Sequence, residues 1–276
     1  MKIAYCTVGF YELDLLECIP LVKRLGYQGI EINVTDTPWF PAHLRPDASM
    51  GDLRLIKESL AENDLKVSSL SCKMSFVEPA PSARRDSIAY TKECVDLAVE
   101  LGTDIVHGLS GKLAPGDSPE DAWGRLCEGI VESVDWSEGR GVRYALEPVE
   151  NHVVFGTDDM LRLLAAIDER GQHLYVNYDP SHLILLGDDP ADSVRRLADR
   201  IIHVHMKDAE GTASGFTFPP LGRGKIDFSA IARALQEIGY SGYLSIEYEG
   251  PFFGGFTDNA ETIAQESRLF VEDLIR

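Results

Sequence analysis

The sequence has little cysteine and little positive charge. Its five cysteines are odd in number and none lies in C-x-x-C spacing, which excludes a disulfide framework and a zinc ribbon. Lysine and arginine total 26 against 45 aspartates and glutamates, a formal net charge of −19, and no run of basic residues is present. Nucleic acids and other polyanions are therefore not expected partners.

Long apolar runs and linker-like segments are also missing. No stretch reaches the roughly 18 apolar residues that a membrane-spanning helix needs, and the N-terminus lacks the pattern of a secretion signal. We therefore expect a cytoplasmic protein without membrane contact, in a compartment that keeps its thiols reduced. No segment rich in proline or in glycine and serine interrupts the chain, which predicts a single domain over residues 1–276.

What the sequence does contain is a regular alternation of two patterns. Short runs rich in β-forming residues alternate with segments that have the three- and four-residue apolar spacing of helices, several of which end at glycine. The clearest helical segments are Leu13–Leu25, Ile88–Leu101, Ala122–Val134, Met160–Ile167 and Ile231–Ile238. The eight predicted strands are Lys2–Tyr5, Gly29–Val34, Lys66–Ser71, Asp104–Leu109, Arg143–Pro148, Leu174–Tyr178, Ile201–Met206 and Tyr243–Tyr248.

This alternation predicts the fold. Strands that alternate strictly with helices pair in parallel, and eight units at about 35-residue spacing favour a single (β/α)8 TIM barrel. An open, doubly wound sheet is the alternative architecture. The longest irregular stretch, Ala209–Lys225, follows the seventh strand and is expected to form a loop at the barrel mouth.

Four predicted strands end in an ionisable side chain: Glu147, Asp179, His205 and Glu247. In a barrel the carboxyl ends of all strands meet at one mouth, so these residues should converge. Three carboxylates without a cation would repel one another, whereas a divalent metal ion relieves the repulsion. One imidazole with three carboxylates suits Mn²⁺ first, with Mg²⁺, Co²⁺, Fe²⁺ and Zn²⁺ as alternatives.

The motifs around these residues resemble those of the xylose-isomerase-like TIM-barrel superfamily of sugar isomerases and epimerases. That superfamily includes ketose 3-epimerases and inosose isomerases and dehydratases, and the resemblance spans essentially the whole chain. It rests on the order E…D-P-S-H…H-x-H-x-K-D…E, which here is Glu147, Asp179–His182, His203–Asp208 and Glu247. The resemblance implies one metal ion held by the four residues named above, with Glu147 and Glu247 also acting as acid and base on opposite faces of a ketose.

The chemistry that the resemblance implies has several outcomes. A metal ion stabilises the enediolate that forms when a glutamate removes a proton next to a carbonyl. Return of the proton to the opposite face makes an epimerase, and return to the neighbouring carbon makes an isomerase. Loss of a β-substituent makes a lyase, for example an inosose dehydratase or an enzyme of β-elimination from an oxidised glycoside. We predict an isomerase or epimerase of a small ketose or related polyol, with a lyase and a non-catalytic sugar-binding protein as alternatives.

Four further residues are candidates for substrate binding: His182, Lys207, Arg223 and His107. His182 and Arg223 match positions where relatives contact substrate, although Arg223 lies in a loop whose alignment is loose. The Lys207 ammonium suits a hydroxyl, carboxylate or phosphate, and an ordinary salt bridge at the rim is the alternative. His107, near the end of the fourth strand, is expected to contact the substrate or a ligand.

The aromatic residues and His203 have less specific interpretations. His203 lies two residues before His205, so it should face the barrel interior one layer deeper. Trp39, Phe40, Phe252 and Phe253 suit either a wall over a sugar or the interface of a homo-oligomer. A nuclease of this fold needs further histidines on the third strand, where the chain reads SSLSC, and is therefore excluded.

Overall fold

Eight parallel strands form a closed barrel in the computed structural model, which describes residues 1–276. The barrel strands are β1 (Lys2–Cys6), β2 (Gly29–Asn33), β3 (Lys66–Cys72), β4 (Ile105–Leu109), β5 (Arg143–Glu147), β6 (Tyr175–Tyr178), β7 (Ile201–Met206) and β10 (Tyr243–Ile246). Their order is β1-β10-β7-β6-β5-β4-β3-β2, and β2 pairs with β1. The predicted TIM barrel is confirmed, and the open sheet is excluded because the first strand is bonded to the last.

Nine α-helices connect the strands on the outside of the barrel. They are α1 (Leu15–Arg24), α2 (Met50–Glu62), α3 (Pro81–Leu101), α4 (Pro119–Glu138), α5 (Thr157–Asp168), α6 (Pro180–Leu186), α7 (Pro190–Arg196), α8 (Phe228–Glu237) and α9 (Ala260–Ile275). All five predicted helices are present. Helix α3 starts at Pro81, seven residues before the predicted start, because its polar first turns carry no apolar spacing while proline suits the first helical position.

The loop after β7 is more ordered than predicted. It contains a short antiparallel hairpin of β8 (Glu210–Thr212) and β9 (Gly215–Thr217). The C-terminal end of the loop is held by the Asp208 carboxylate, which accepts hydrogen bonds from the backbone N–H groups of Gly222 at 3.0 Å and Gly224 at 2.8 Å. A Cβ atom at position 224 would lie 2.2 Å from Oδ1 of Asp208, so this close approach requires glycine.

Inside the barrel, the layer next to the mouth is polar. Side chains two residues apart on a strand point to the same face, so the layer below the predicted ligands comes from the residues two positions earlier. These include Asn177 below Asp179 and His203 below His205, and both are fully buried with Glu31, Ser69 and His107. TIM-barrel interiors are mostly filled with branched apolar residues, so this polar layer needs hydrogen-bond partners of its own.

Two further observations concern the cysteines and the apolar character of the helices. All five cysteine thiols are free and buried. Each helix is either too short or too polar to cross a lipid bilayer.

Candidate metal centre

The four predicted ligands meet at the carboxyl ends of neighbouring strands. Glu147 ends β5 and His205 lies within β7, whereas Asp179 and Glu247 directly follow β6 and β10. All four are buried, and one ligand atom of each lies within 4.8 Å of the others. Nδ1 of His205 is 3.6 Å from Oε1 of Glu147, 3.6 Å from Oδ2 of Asp179 and 3.4 Å from Oε2 of Glu247.

The two oxygens of the Asp179 carboxylate have different surroundings. Oδ1 accepts the backbone N–H of Ser181 at 2.8 Å and thereby caps the start of α6. Oδ2 is buried and faces three nitrogens, Nζ of Lys207 at 3.0 Å, Nε2 of His182 at 3.4 Å and Nδ1 of His205 at 3.6 Å. Three buried carboxylates that converge in this way concentrate negative charge at one point, which attracts cations. With three oxygens and one imidazole nitrogen, the residues present fit a divalent metal ion.

Electrostatics at this point favour a positive charge. Burial lowers the pKa of His205, but the carboxylates of Glu31, Glu247 and Glu147 outweigh burial and raise the pKa well above its ordinary value. Burial alone would raise the pKa of Glu147, yet the charges of His205 and His182 hold it well below its usual range. The carboxylates therefore stay ionised, and the His205 imidazole is protonated on both nitrogens, and so cationic, in the metal-free protein.

Two lysines hold Glu247. Nζ of Lys207 lies 2.7 Å from Oε2 of Glu247 and 3.1 Å from Oε2 of Glu249. Nζ of Lys73, which follows β3, lies 3.2 Å from Oε1 of Glu247 and 3.4 Å from Oε1 of Glu249. Burial raises the pKa of Glu247, but Lys207, Lys73 and His205 together lower it strongly. Sequence reasoning missed Lys73 and Glu249, although both follow a barrel strand at the mouth.

His182 lies against three carboxylates on the other side of the centre. Its Nε2 is 3.4 Å from Oε1 of Glu147 and 3.4 Å from Oδ2 of Asp179, and its Nδ1 contacts the carboxylate of Glu150. Burial and the Lys207 charge lower the pKa of His182, but the three carboxylates raise it to about 10. The raised pKa favours a cationic His182 beside two of the candidate ligands, and the Lys207 ammonium 3.1 Å from Nε2 opposes that charge.

A cavity of about 470 Å³ opens above these residues. Glu147, Glu247, Lys207 and His182 form its polar floor. One part of its wall is aromatic, where the rings of Trp39 and Phe253 have centroids 5.3 Å apart, and the rest includes polar residues such as Lys112, Glu150 and His152. The aromatic lining residues are Trp39, Phe40, Phe216, Phe218 and Phe253. The cavity size is typical of sites that enclose a small molecule.

The family comparison agrees with the geometry. A family model described as xylose isomerase-like TIM barrel matches residues 19–274. The chain belongs to this family.

Relatives named by their activity align with most of the chain. Fructoselysine 3-epimerase of Shigella flexneri is 26% identical over 260 residues, covering 90% of each protein. Inosose dehydratase of Lacticaseibacillus casei is 32% identical over 258 residues, covering 86% of this chain and 83% of the enzyme. The crystal structure of the IOLI protein with a zinc atom superposes with a TM-score of 0.82 at 22% identity, covering 100% and 98% of the two chains. The relatives named here by activity are enzymes, an epimerase and a dehydratase.

Two residues expected to contact substrate do not line the cavity of this family member. Arg223 is half exposed on the outer surface, where its guanidinium lies 2.9 Å from Glu266 and 3.6 Å from Asp258. His107 lies beneath the cavity, and its Nε2 donates to Oε1 of Glu31 at 3.0 Å. Arg223 thus points outward, and His107 lies in the layer below, where its Nδ1 is 3.8 Å from Oε2 of the candidate ligand Glu147. Their role as substrate contacts stays a prediction.

The structure also shows which of the four aromatic residues named from the sequence line the cavity. Trp39, Phe40 and Phe253 line the cavity, as an apolar wall over a sugar requires. Phe252 instead packs against Tyr11 and Phe40, with ring centroids 4.6 Å and 5.6 Å away. Phe216 and Phe218, which no sequence pattern singled out, enter the wall from the hairpin end after β7.

The polar layer beneath the ligands contains two residues that sequence reasoning missed. Glu31 lies in the middle of β2 and Asn177 lies in β6, both fully buried. Nδ2 of Asn177 donates to Oε2 of Glu147 at 3.0 Å, which orients that candidate ligand. A polar residue at an inward position of an otherwise apolar strand is the only local signal that either residue offers.

Proposed function

We propose that the protein is a divalent-metal-dependent isomerase or epimerase of a small ketose or related polyol. The convergence of Glu147, Asp179, His205 and Glu247 beside a cavity that Glu147 and Glu247 line carries this proposal. The two glutamates line the cavity as well as facing the centre, so they have access to a substrate. The 26% identity to fructoselysine 3-epimerase over nearly the whole chain supports it.

The metal ion would be held by the same four residues. When bound, it would polarise a substrate carbonyl and so acidify the hydrogen on the neighbouring carbon. Three carboxylate oxygens make Mn²⁺ our first choice, with Mg²⁺, Co²⁺, Fe²⁺ and Zn²⁺ as alternatives. The IOLI protein was crystallised with a zinc atom, which keeps Zn²⁺ among the ions to be tested.

The acid and base roles fall to the two glutamates. Lys73 and Lys207 keep the Glu247 carboxylate ionised, and an ionised carboxylate accepts a proton from carbon next to a carbonyl. Glu147 is oriented by Asn177 and lies beside His182, so it can receive or return a proton at the same substrate. The N–H groups of His182 and Lys207 face the cavity floor, where they can bind substrate hydroxyl groups.

A dehydratase is the second candidate function. The 32% identity to inosose dehydratase of Lacticaseibacillus casei favours it, together with the cationic His182 on the cavity floor. After proton removal, the electron pair on carbon would expel a β-hydroxyl group. His182 would donate the proton that turns the departing hydroxide into water.

Deuterium exchange separates these functions. The Mn²⁺-loaded protein is incubated in D₂O with a panel of ketoses and inososes, and products are followed by NMR and mass spectrometry. Exchange without loss of water supports the isomerase or epimerase, and net loss of water supports the dehydratase. The Glu147→Gln and Glu247→Gln variants should lose at least about 100-fold in rate, whereas Glu93→Gln on the exposed face of α3 should not change it.

A third outcome would refute catalysis. If the wild-type protein binds a sugar but exchanges no proton on any member of the panel with any of the five metal ions, it is a sugar-binding protein.

A further inference from the structure

We infer that Glu31 is a positioning residue that holds the His205 imidazole with Nδ1 directed at the other three ligands. This inference rests on the proposed metal site and deepens it. Glu31 touches neither the cavity nor the point where the ligands meet, so its role is to act through His205.

The contacts of Glu31 assign the hydrogens of two imidazoles. Its carboxylate is fully buried in the middle of β2. Oε1 lies 3.0 Å from Nε2 of His205 and 3.0 Å from Nε2 of His107, and Oε2 lies 3.2 Å from Nε2 of His205. An ionised carboxylate only accepts hydrogen bonds, and a buried one without donors is strongly destabilising. Both Nε2 atoms are therefore the donors.

The hydrogen on Nε2 decides which nitrogen of His205 can bind a metal ion. A neutral imidazole with its hydrogen on Nε2 has its lone pair on Nδ1. Nδ1 faces the carboxylates of Glu147, Asp179 and Glu247 at 3.4–3.6 Å. Without the Glu31 acceptor, the hydrogen would be drawn to Nδ1 by those carboxylates, and the lone pair would point away from the centre. A carboxylate behind a ligating histidine commonly has this orienting effect.

The same hydrogen-bonded layer also reaches Glu147. Nδ1 of His203 donates to Oδ1 of Asn177 at 2.9 Å, which fixes the orientation of the Asn177 amide. Nδ2 of Asn177 then donates to Oε2 of Glu147 at 3.0 Å and to Nδ1 of His107 at 3.3 Å. Glu31 is thus connected through His107 and Asn177 to a second candidate ligand.

A second metal ion is the competing interpretation of this layer. Glu31, His107, His203 and His205 offer ligand atoms that lie within 4.8 Å of one another. Yet the hydrogen bonds described above account for the imidazole nitrogens of His107, and the remaining nitrogen of His203 accepts from Oγ of Ser69 at 3.1 Å. Each ligand atom that Glu31, His107 and His203 offer already has a hydrogen-bond partner within this layer. We therefore favour hydrogen bonding.

Metal binding to matched variants tests the inference. Equilibrium dialysis with Mn²⁺ and elemental analysis give the affinity and stoichiometry for wild type, Glu31→Leu, Glu31→Gln and Ser69→Ala. We expect one ion in the wild type and an affinity about 10- to 100-fold weaker in Glu31→Leu. Glu31→Gln keeps an oxygen acceptor but loses the charge, so its loss should be smaller but measurable. Ser69→Ala removes a hydrogen bond to His203 and not to His205, so its affinity should fall by much less than that of Glu31→Leu.

Several results would overturn the inference. One is a Glu31→Leu variant that binds Mn²⁺ as tightly as the wild type, and another is a wild type that binds two ions of which Glu31→Leu loses one. Circular dichroism establishes whether Glu31→Leu is folded. If it is not, Glu31→Gln decides, and a wild-type affinity in that variant refutes the role.

Imidazole NMR separates the failure of this inference from the failure of the proposed function. In ¹⁵N-labelled, Zn²⁺-loaded protein, the hydrogen on Nε2 of His205 should be shifted downfield and protected from exchange by its bond to Glu31. Glu31→Gln should move that resonance. If the wild type binds no divalent ion, the proposed function fails, and the same resonance in the metal-free protein still tests the contact with Glu31. An unmoved resonance would refute it.

Discussion

Replacing Asp208 with asparagine should detach the loop between β7 and α8 from the barrel mouth. Asp208 is only 2% exposed, and its two oxygens accept four backbone N–H groups. Oδ2 accepts from Gly222 and Gly224 at 3.0 Å and 2.8 Å, and Oδ1 accepts from Ala209 and Ile226 at 2.9 Å and 3.3 Å. Asparagine has one oxygen and one NH₂ group, so in either orientation the NH₂ group faces two N–H donors.

The magnitude follows from the two N–H donors that lose their acceptor oxygen. A buried donor left without a partner costs about 1–3 kcal/mol, and the glycines at 222 and 224 are partly exposed, so we expect the lower part of that range for each. The total is about 2–4 kcal/mol. Because the loop can open without unfolding the barrel, most of this loss should appear as local opening.

Amide hydrogen exchange and urea unfolding measure the two contributions. Amide hydrogens of the segment 222–226 should exchange faster in Asp208→Asn, by the factor that corresponds to the loss in free energy of local opening. The urea midpoint should decrease only slightly, because most of the loss does not affect global unfolding. Asp199→Asn, at an exposed position without a hydrogen bond, is the control and should change neither. Unchanged exchange in the segment 222–226 would show that the carboxylate does not hold the loop.

Two further predictions concern charge at the metal centre. Because the raised pKa of His205 keeps it protonated in the metal-free protein, metal binding must release a proton, so Mn²⁺ affinity should rise with pH by up to about tenfold per unit. Calorimetry in buffers of different ionisation enthalpy counts that proton, and an affinity independent of pH would contradict the assignment. Lys73→Met removes a positive charge that lowers the pKa of Glu247, so the acidic limb of the pH-rate profile should move to higher pH by about one unit. Superimposable profiles would show that Lys207 alone keeps Glu247 ionised.

The barrel could be predicted because its pattern is local. Each strand and helix has its own apolar spacing, and the number and alternation of units leave few ways to pair the strands. The hairpin of β8 and β9 was missed because its strands have three residues each and no alternating apolar pattern. Helix α2 was not among the five helical segments named from the sequence, since only Ile56 and Leu60 of its side chains are buried.

The convergence of the candidate ligands Glu147, Asp179, His205 and Glu247 could be predicted from the sequence alone, because each stands where an apolar strand becomes a loop and the topology brings those ends together. Arg223 shows the limit of this reasoning, since its motif matched while its side chain points to α9 and solvent.

Only the tertiary structure decided what surrounds the ligands. Glu31 and His205 are 174 residues apart, as are Lys73 and Glu247, so no local pattern joins either pair. The closed barrel places such residues in adjacent layers, and burial then requires every charge and N–H group to find a partner there. The sequence determined which side chains reach the mouth, and the packing of distant strands determined how they are oriented and charged.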